Sequence, residues 1–431
     1  MTKPIYDSVI KYALSCPERF HMPAHFGANL DDLLYSSSAF DITELDFSDN
    51  LQNPNGIILE SEIQAAKIYK SQTSLYFTTG ATTAIFVAIG ALRARGRDII
   101  IQRNCHKSVY SAVRHFGLNP HYIYSKLSRG LPSVVTPSEV RQALSDCPNA
   151  AAIVITSPTY FGDSASLDIV KIAKQAGIPL IVDEAHGAHF CFSNELPQGF
   201  SEYADMAVVS LHKTMPVYGG GAILNVNNKQ YSDVARTLRS DLHTTSPSYV
   251  VLASMDYAID ELNLYGEVLY EKLKNRIDLF KENLKKYYFY PNDDFSRLCI
   301  LLGKKLIDKL QRLNIMPELV YCDYAVFIVS PYNMERLAVL EGVLLNETPE
   351  ASDNLNGFKY PTPQKGNDGS SFELVSLSDA VGRSAYNELG IYPPGIPLVA
   401  HGEIITSEIQ SILMKENNVF GFVNGKVCVT I

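Results

Sequence analysis

Asp183 and Lys213 each close an apolar run and open a polar one. Ile178–Val182 leads into Asp183-Glu184-Ala185-His186-Gly187-Ala188-His189, and Met206–Val209 leads into Ser210-Leu211-His212-Lys213-Thr214. Two buried strands would deliver a carboxylate and an amine to their C-terminal ends, where ligands collect in an open α/β sheet. A desolvated lysine is a better Schiff-base amine. A fixed carboxylate can keep a pyridine nitrogen protonated. Pyridoxal phosphate (PLP) takes these two groups from its protein. Ser210 and His212, beside the lysine, can hydrogen-bond a phosphate. By residue type alone Lys213 reads better as a surface lysine, and Asp183 reads also as a helix cap or strand-end carboxylate; their shared setting at strand ends argues for function.

Other residues fit or fail around this pair. Thr78-Thr79-Gly80-Ala81-Thr82-Thr83 lies between a strand and a helix, where free backbone N–H groups and hydroxyls suit a phosphate. Arg103-Asn104-Cys105-His106-Lys107-Ser108 follows another strand. Cys105 there reads as a thiol nucleophile or as a buried cysteine, and His106 as a ring stacked on a flat cofactor. Asp183–His186 also spells a helicase box, but that needs a GxxxxGK[ST] loop, and Gly421–Val427 has the wrong spacing. His186 and His189 are three apart; without a third ligand at helical spacing, no metal is expected.

The elements that must position these groups alternate. Helices are predicted at Ile57–Tyr69, Ala81–Arg95, Lys107–Phe116, Pro137–Leu144 and Leu167–Ala176, with strands at Ser74–Phe77, Asp98–Gln102, His121–Tyr124 and Ala150–Thr156 between or after them. That alternation implies a mainly parallel sheet covered on both faces. A long helix over Pro247–Tyr287 would lead to a smaller C-terminal α/β domain. The expected division is an N-terminal arm at 1–50, a large domain at 51–290 and a small domain at 291–431, with 348–373 an exposed loop.

The 431 residues are 46% hydrophobic and 19% charged, which describes well-buried globular domains. A net charge of −9 argues against nucleic acid or an anionic membrane as partner. The start has no apolar signal core, and Ala84–Leu92 is too short to span a bilayer. Seven scattered cysteines without a CxxC pair read as reduced thiols, so the cytoplasm is expected.

Six ordered motifs resemble the ornithine/lysine/arginine decarboxylases of PLP fold type I (aspartate-aminotransferase-like), in the short bacterial form without an N-terminal wing domain. They are Arg103–Ser108, Thr156-Ser157-Pro158-Thr159-Tyr160-Phe161-Gly162, Asp183–His189, Ser210–Thr214, Thr244-Thr245-Ser246-Pro247-Ser248-Tyr249 and Tyr392-Pro393-Pro394-Gly395-Ile396-Pro397. The resemblance implies PLP held by Lys213, its ring nitrogen paired with Asp183, Ala185 on one ring face and His106 on the other. His186 belongs to the same cofactor-binding motif. Thr82, Thr83, Ser210 and His212 would hold the phosphate. The Thr244–Ser246 turn would reach a neighbouring subunit's site, so a homodimer or a multiple of it is implied.

The implied reaction is α-decarboxylation of arginine, lysine or ornithine, a small-molecule substrate. Its distal cation would meet Asp41, Glu44, Asp46 or Glu403. The chain departs from the family pattern at Pro23-Ala24-His25-Phe26, at Ser48-Asp49-Asn50-Leu51-Gln52 and in the Thr79–Ile85 turn. Those departures keep a second expectation open: transamination, oxidation or aldol-type chemistry on the same scaffold. A non-catalytic regulatory relative is a third, against which His106, Asp183 and Lys213 all argue.

Overall fold

The computed structural model describes residues 2–15, 19, 22, 36–321, 323–349 and 363–431, less 368, 370, 393 and 417. The Pro23–Phe26 departure and much of the 348–373 stretch lie outside them. In chain order the helices are α1 (Pro4–Leu14), α2 (Ile57–Ile68), α3 (Ala81–Leu92), α4 (Lys107–His115), α5 (Pro137–Asp146), α6 (Asp168–Ala176), α7 (Lys229–Leu242) and α8 (Tyr249–Asn283). The strands among them are β1 (Thr73–Phe77), β2 (Asp98–Gln102), β3 (Asn119–Ile123), a short hairpin of β4 (Leu127–Ser128) and β5 (Leu131–Pro132), then β6 (Ile153–Thr156), β7 (Leu180–Asp183), β8 (Met206–Val209) and β9 (Ala222–Val226).

Seven strands form one sheet in the order β1-β9-β8-β7-β6-β2-β3. Every residue of β7, β8 and β9 is buried, so these strands read as unbroken apolar runs rather than as alternation. Helices α3, α4 and α7 cover one face through Ala84, Val109 and Ala235. Helices α5 and α6 cover the other through Val140, Ile169 and Ile172. β9 runs antiparallel to both β8 and β1; the other strand pairs are parallel.

Ser248 starts α8 by accepting the Val251 N–H, and the helix then continues for 35 residues. At 1.5 Å per residue that is about 50 Å, long enough to link two cores. Asp256 on α8 also accepts the Ile5 and Tyr6 N–H groups, which ties down the start of α1. Beyond α8 come β10 (Tyr288–Phe289), β11 (Arg297–Leu301), α9 (Lys304–Arg312), β12 (Leu319–Tyr321), β13 (Tyr324–Ile328) and α10 (Leu337–Leu345). Their antiparallel sheet has the order β10-β11-β13-β12. The chain ends with β14 (Phe372–Val375), β15 (Leu389–Ile391), β16 (Pro397–Val399), α11 (Ser407–Leu413), β17 (Val419–Phe420), β18 (Phe422–Val423) and β19 (Lys426–Thr430) around a separate core of Leu389, Val399 and Ile409. Among the described residues no helix is long and apolar enough to cross a membrane.

Candidate active site

β7 and β8 lie side by side, with Asp183 opposite Val208. β7 ends on Asp183 itself. β8 ends one residue before Ser210, and the chain turns through Leu211–Lys213, with Lys213 N–H donating to Ser210 O. The amine therefore folds back toward the strand ends, and Nζ lies 3.1 Å from His186 Nε2. Asp183 is buried, and among the described residues the one hydrogen bond to its carboxylate comes from Ala185 N–H at 3.2 Å. Burial pushes its carboxyl upward, against the pull of Lys213. Burial likewise pushes the Lys213 amine downward, with Asp183 opposing and Arg297 reinforcing. Desolvation thus outweighs the attraction within the pair.

His106 enters from the loop after β2 and caps α4: its Nδ1 accepts the Ser108 N–H at 3.2 Å, which leaves the ring proton on Nε2. Burial first, then Lys213 and Lys107, lower its pKa to about 3, so the ring stays neutral. Gly395 passes close above, with φ +77°, and Lys107 N–H donates to its carbonyl at 2.9 Å. A Cβ there would stand 2.8 Å from the imidazole, so only glycine fits. His106, Asp183, Ala185, His186, Lys213 and Tyr160 are among the residues that line a cavity of about 40 Å³. A larger hollow of about 500 Å³ lies behind the Asp183–Gly187 loop, against Glu184 and Cys191. The amine–carboxylate–imidazole set faces the small cavity.

The strand-to-helix turn before α3 presents backbone groups of the kind that suit an anion. Gly80 N–H donates to Gly220 O at 2.7 Å, and no side chain caps the helix, so its first amides stay free. Thr79 Oγ1 bonds Thr83 Oγ1 at 2.9 Å, while Thr82 is exposed. Ser210 is fully buried, with Oγ 3.3 Å from His212 Nδ1. His212 is held near neutral by burial and also bonds Gly221 O. A buried carboxylate with one donor, a desolvated amine and free helix amides match the ring nitrogen, aldehyde and phosphate of PLP.

The remaining sequence-predicted residues divide. Thr244 and Ser246 are exposed and do not line this cavity; Gln52 Nε2 holds the Thr244 carbonyl at 2.8 Å. Cys105 is buried and its thiol pushed up, mainly by burial, so it is no nucleophile. His186 and His189 diverge, the first to Lys213 and Arg297, the second to Asp294 and Ser296. Asp46 is exposed, and Glu44 is half-buried beside Thr43. Asp41 is half-buried, with its backbone carbonyl held by Arg19. Asp49, in the departing segment, caps α2 by accepting the Gly56 and Ile58 N–H groups.

Glu403 corrects an expectation. It does not face the cavity but clasps buried Arg103, with Nε–Oε1 at 3.0 Å and Nη2–Oε2 at 2.7 Å. Arg103 also reaches Pro397 O at 2.9 Å and so pins the Pro394–Ile396 wall onto the large sheet. Arg297 was not foreseen at all. It opens β11 inside an apolar strand and reaches His186 Nδ1 at 3.3 Å. Tyr160, which packs its ring 4.7 Å from His186 and bonds Glu318, was visible only as part of a motif.

The chain is 30% identical over 450 residues, 95% of its own length and 93% of the other's, to the uncharacterized protein YaaO of Bacillus subtilis. It is also 30% identical to an arginine decarboxylase of Halalkalibacterium halodurans, over 96% of this chain and 93% of the relative. The lysine decarboxylase of Francisella novicida superposes with a TM-score of 0.79 at 17% identity, covering 99% of this chain and 80% of that one, which establishes PLP fold type I. The model for the Orn/Lys/Arg decarboxylase major domain matches residues 3–326, and that for the C-terminal domain matches 365–417. With both matches in chain order over most of its length, the chain belongs to the Orn/Lys/Arg decarboxylase family.

Proposed function

We propose that this chain is a PLP-dependent α-decarboxylase that converts a basic amino acid, arginine, lysine or ornithine, to its amine and carbon dioxide. The observation that carries the reading is the placement of Asp183 and Lys213 at adjoining strand ends, facing one small cavity roofed by His106. Bound PLP supplies an electron sink for the bond broken at the substrate's Cα. Lys213 Nζ would hold the cofactor, and Asp183 would keep a proton on its ring nitrogen. Ala185 and the His106 imidazole would flank the ring, with His186 beside them. The α3 amides, Thr82, Thr83, Ser210 and His212 would hold the phosphate. The wall pinned by Arg103 and Glu403 would keep water out, and the Nε2–H of His106 is a proton held at the cavity surface.

The exposed Thr244–Ser246 turn supports a homodimer, or a multiple of it, in which that turn serves the neighbour's site. The net charge of −9 supports an enzyme without a nucleic-acid partner, and the free cysteines among the described residues support a cytoplasmic one. The test is release of labelled carbon dioxide from 1-carboxyl-labelled arginine, lysine and ornithine by the PLP-loaded protein. One of the three should release it. If none does while PLP is bonded to Lys213, the decarboxylase reading falls and transamination, oxidation or aldol chemistry replaces it.

A further inference from the structure

Arg297 is 1% exposed, and its Nη2 lies 3.3 Å from His186 Nδ1. Its Nε and Nη1 are buried without a hydrogen-bond partner, and among the described residues no carboxylate comes within ion-pair distance. A guanidinium only donates, and it stays charged at every ordinary pH. His186 Nδ1 must therefore accept. A neutral imidazole has one N–H, which then sits on Nε2. That Nε2 lies 3.1 Å from Lys213 Nζ. Facing an N–H donor, a lysine nitrogen can only accept, and it accepts only with its lone pair free. The hydrogen bonds run one way, from Arg297 to His186 to Lys213. The Tyr160 ring packs against His186, which is itself buried.

We propose that Arg297 is a positioning residue that acts through His186 to keep Lys213 Nζ an uncharged acceptor whenever that nitrogen is not bonded to the cofactor. The inference rests on Lys213 being the cofactor lysine. It explains how an amine beside the Asp183 carboxylate escapes permanent protonation. Around Lys213, Asp183 on β7 and Glu318 ahead of β12 favour the charged form, while burial and Arg297 on β11 oppose it. His106 and His212, the imidazoles from the neighbouring loops, are both lowered by burial and stay neutral. His186 itself is held far below its ordinary range by burial, then by Lys213, Arg297, His106 and His189.

The experiment is competitive acetylation with trace acetic anhydride across pH, read peptide by peptide by mass spectrometry. The full-length holoenzyme and the same chain freed of PLP with hydroxylamine are labelled in parallel. Exposed Lys285 serves as the internal reference. Protection of Lys213 in the holoenzyme identifies it as the cofactor lysine. In the freed chain Lys213 should label as a free amine by about pH 8, well below the pH at which Lys285 does. Arg297→Met should move its profile upward, cutting its labelling near pH 8 by about tenfold. Arg297→Lys, which keeps a charged donor, should restore most of the shift. An unchanged Lys213 profile in Arg297→Met with native circular dichroism would overturn the inference. Should that variant not fold, nitrogen-15 spectra of the wild-type freed chain decide, with the His186 signals assigned by their loss in His186→Gln. A proton on Nε2 supports the inference, and a proton on Nδ1 refutes it. Neither readout uses substrate. A shifted Lys213 in a protein that releases no carbon dioxide keeps this inference and removes only the decarboxylase reading.

Discussion

Asp183 and Lys213 share one desolvated site and respond to it in opposite directions, the carboxyl raised and the amine lowered. Each gains by meeting a partner of the right kind. Asp183→Asn keeps an oxygen for the Ala185 N–H and should fold normally, but an amide cannot hold a pyridine nitrogen protonated. Carbon dioxide release should fall by about 10²–10³-fold, as when one preorganised charge is lost from a dry site. Turnover close to wild type would remove Asp183 from the ring. Lys213→Ala should bind no cofactor that borohydride can fix to the chain; a reduced adduct mapped to another lysine sinks the assignment. Both residues were legible in the sequence because each ends an apolar run. Arg297 was not, because the register of an antiparallel sheet decides which way an arginine in a strand points. Glu403 was misread because its partner, Arg103, stands 300 positions away in the chain.

At the level of elements, doubly covered parallel strands were the most legible, since β6, β7 and β8 need apolar residues on both faces. The reversed strand β9 was overlooked: it follows Gly219-Gly220-Gly221, which reads as a loop. The six predicted helices fell within a few residues of expectation: α2, α3, α4 and α8 end early, while α5 runs two residues further; α1, α7 and α9–α11 were not predicted. The loop after β7 carries a pH liability. Glu184 accepts the Phe200 N–H and Ser201 Oγ, yet burial lifts its pKa from 4.5 to about 7. A raised carboxyl contributes stability that is complete below its unfolded value and is lost as pH rises through its folded value. Glu184→Gln should therefore match wild type below about pH 4.5 and exceed it at pH 8 by up to about 3 kcal/mol in urea unfolding. Asp163 and Asp256, each lifted to about 6, carry the same sign, so part of the slope should survive. The Arg103–Glu403 clasp acts at the same scale. Glu403→Ala leaves a buried guanidinium and should cost about 3–5 kcal/mol. It should also raise KM as the Pro394–Ile396 wall loosens. An unchanged unfolding midpoint would show the clasp to be incidental.

For the whole molecule, the proposal that the exposed Thr244–Ser246 turn serves a neighbouring subunit's site is tested with hybrids. Chains carrying Lys213→Ala and chains carrying Ser246→Trp should each be nearly inactive. Mixed and re-associated, they should recover roughly a quarter of wild-type activity, because random pairing leaves about that share of sites intact. No recovery from hybrids shown to form by native mass spectrometry would confine each site to one chain. The clasp between Arg103 and Glu403 has a further consequence in time. Glu403 leaves the ribosome roughly 190 residues after Lys213, about 10–40 s later at ordinary elongation rates. Throughout that interval the large sheet can already be folded while its reactive lysine is open to water and to stray aldehydes. Only the arrival of the Pro394–Ile396 wall closes the pocket, so the lysine stays unguarded long after its own strand has been made.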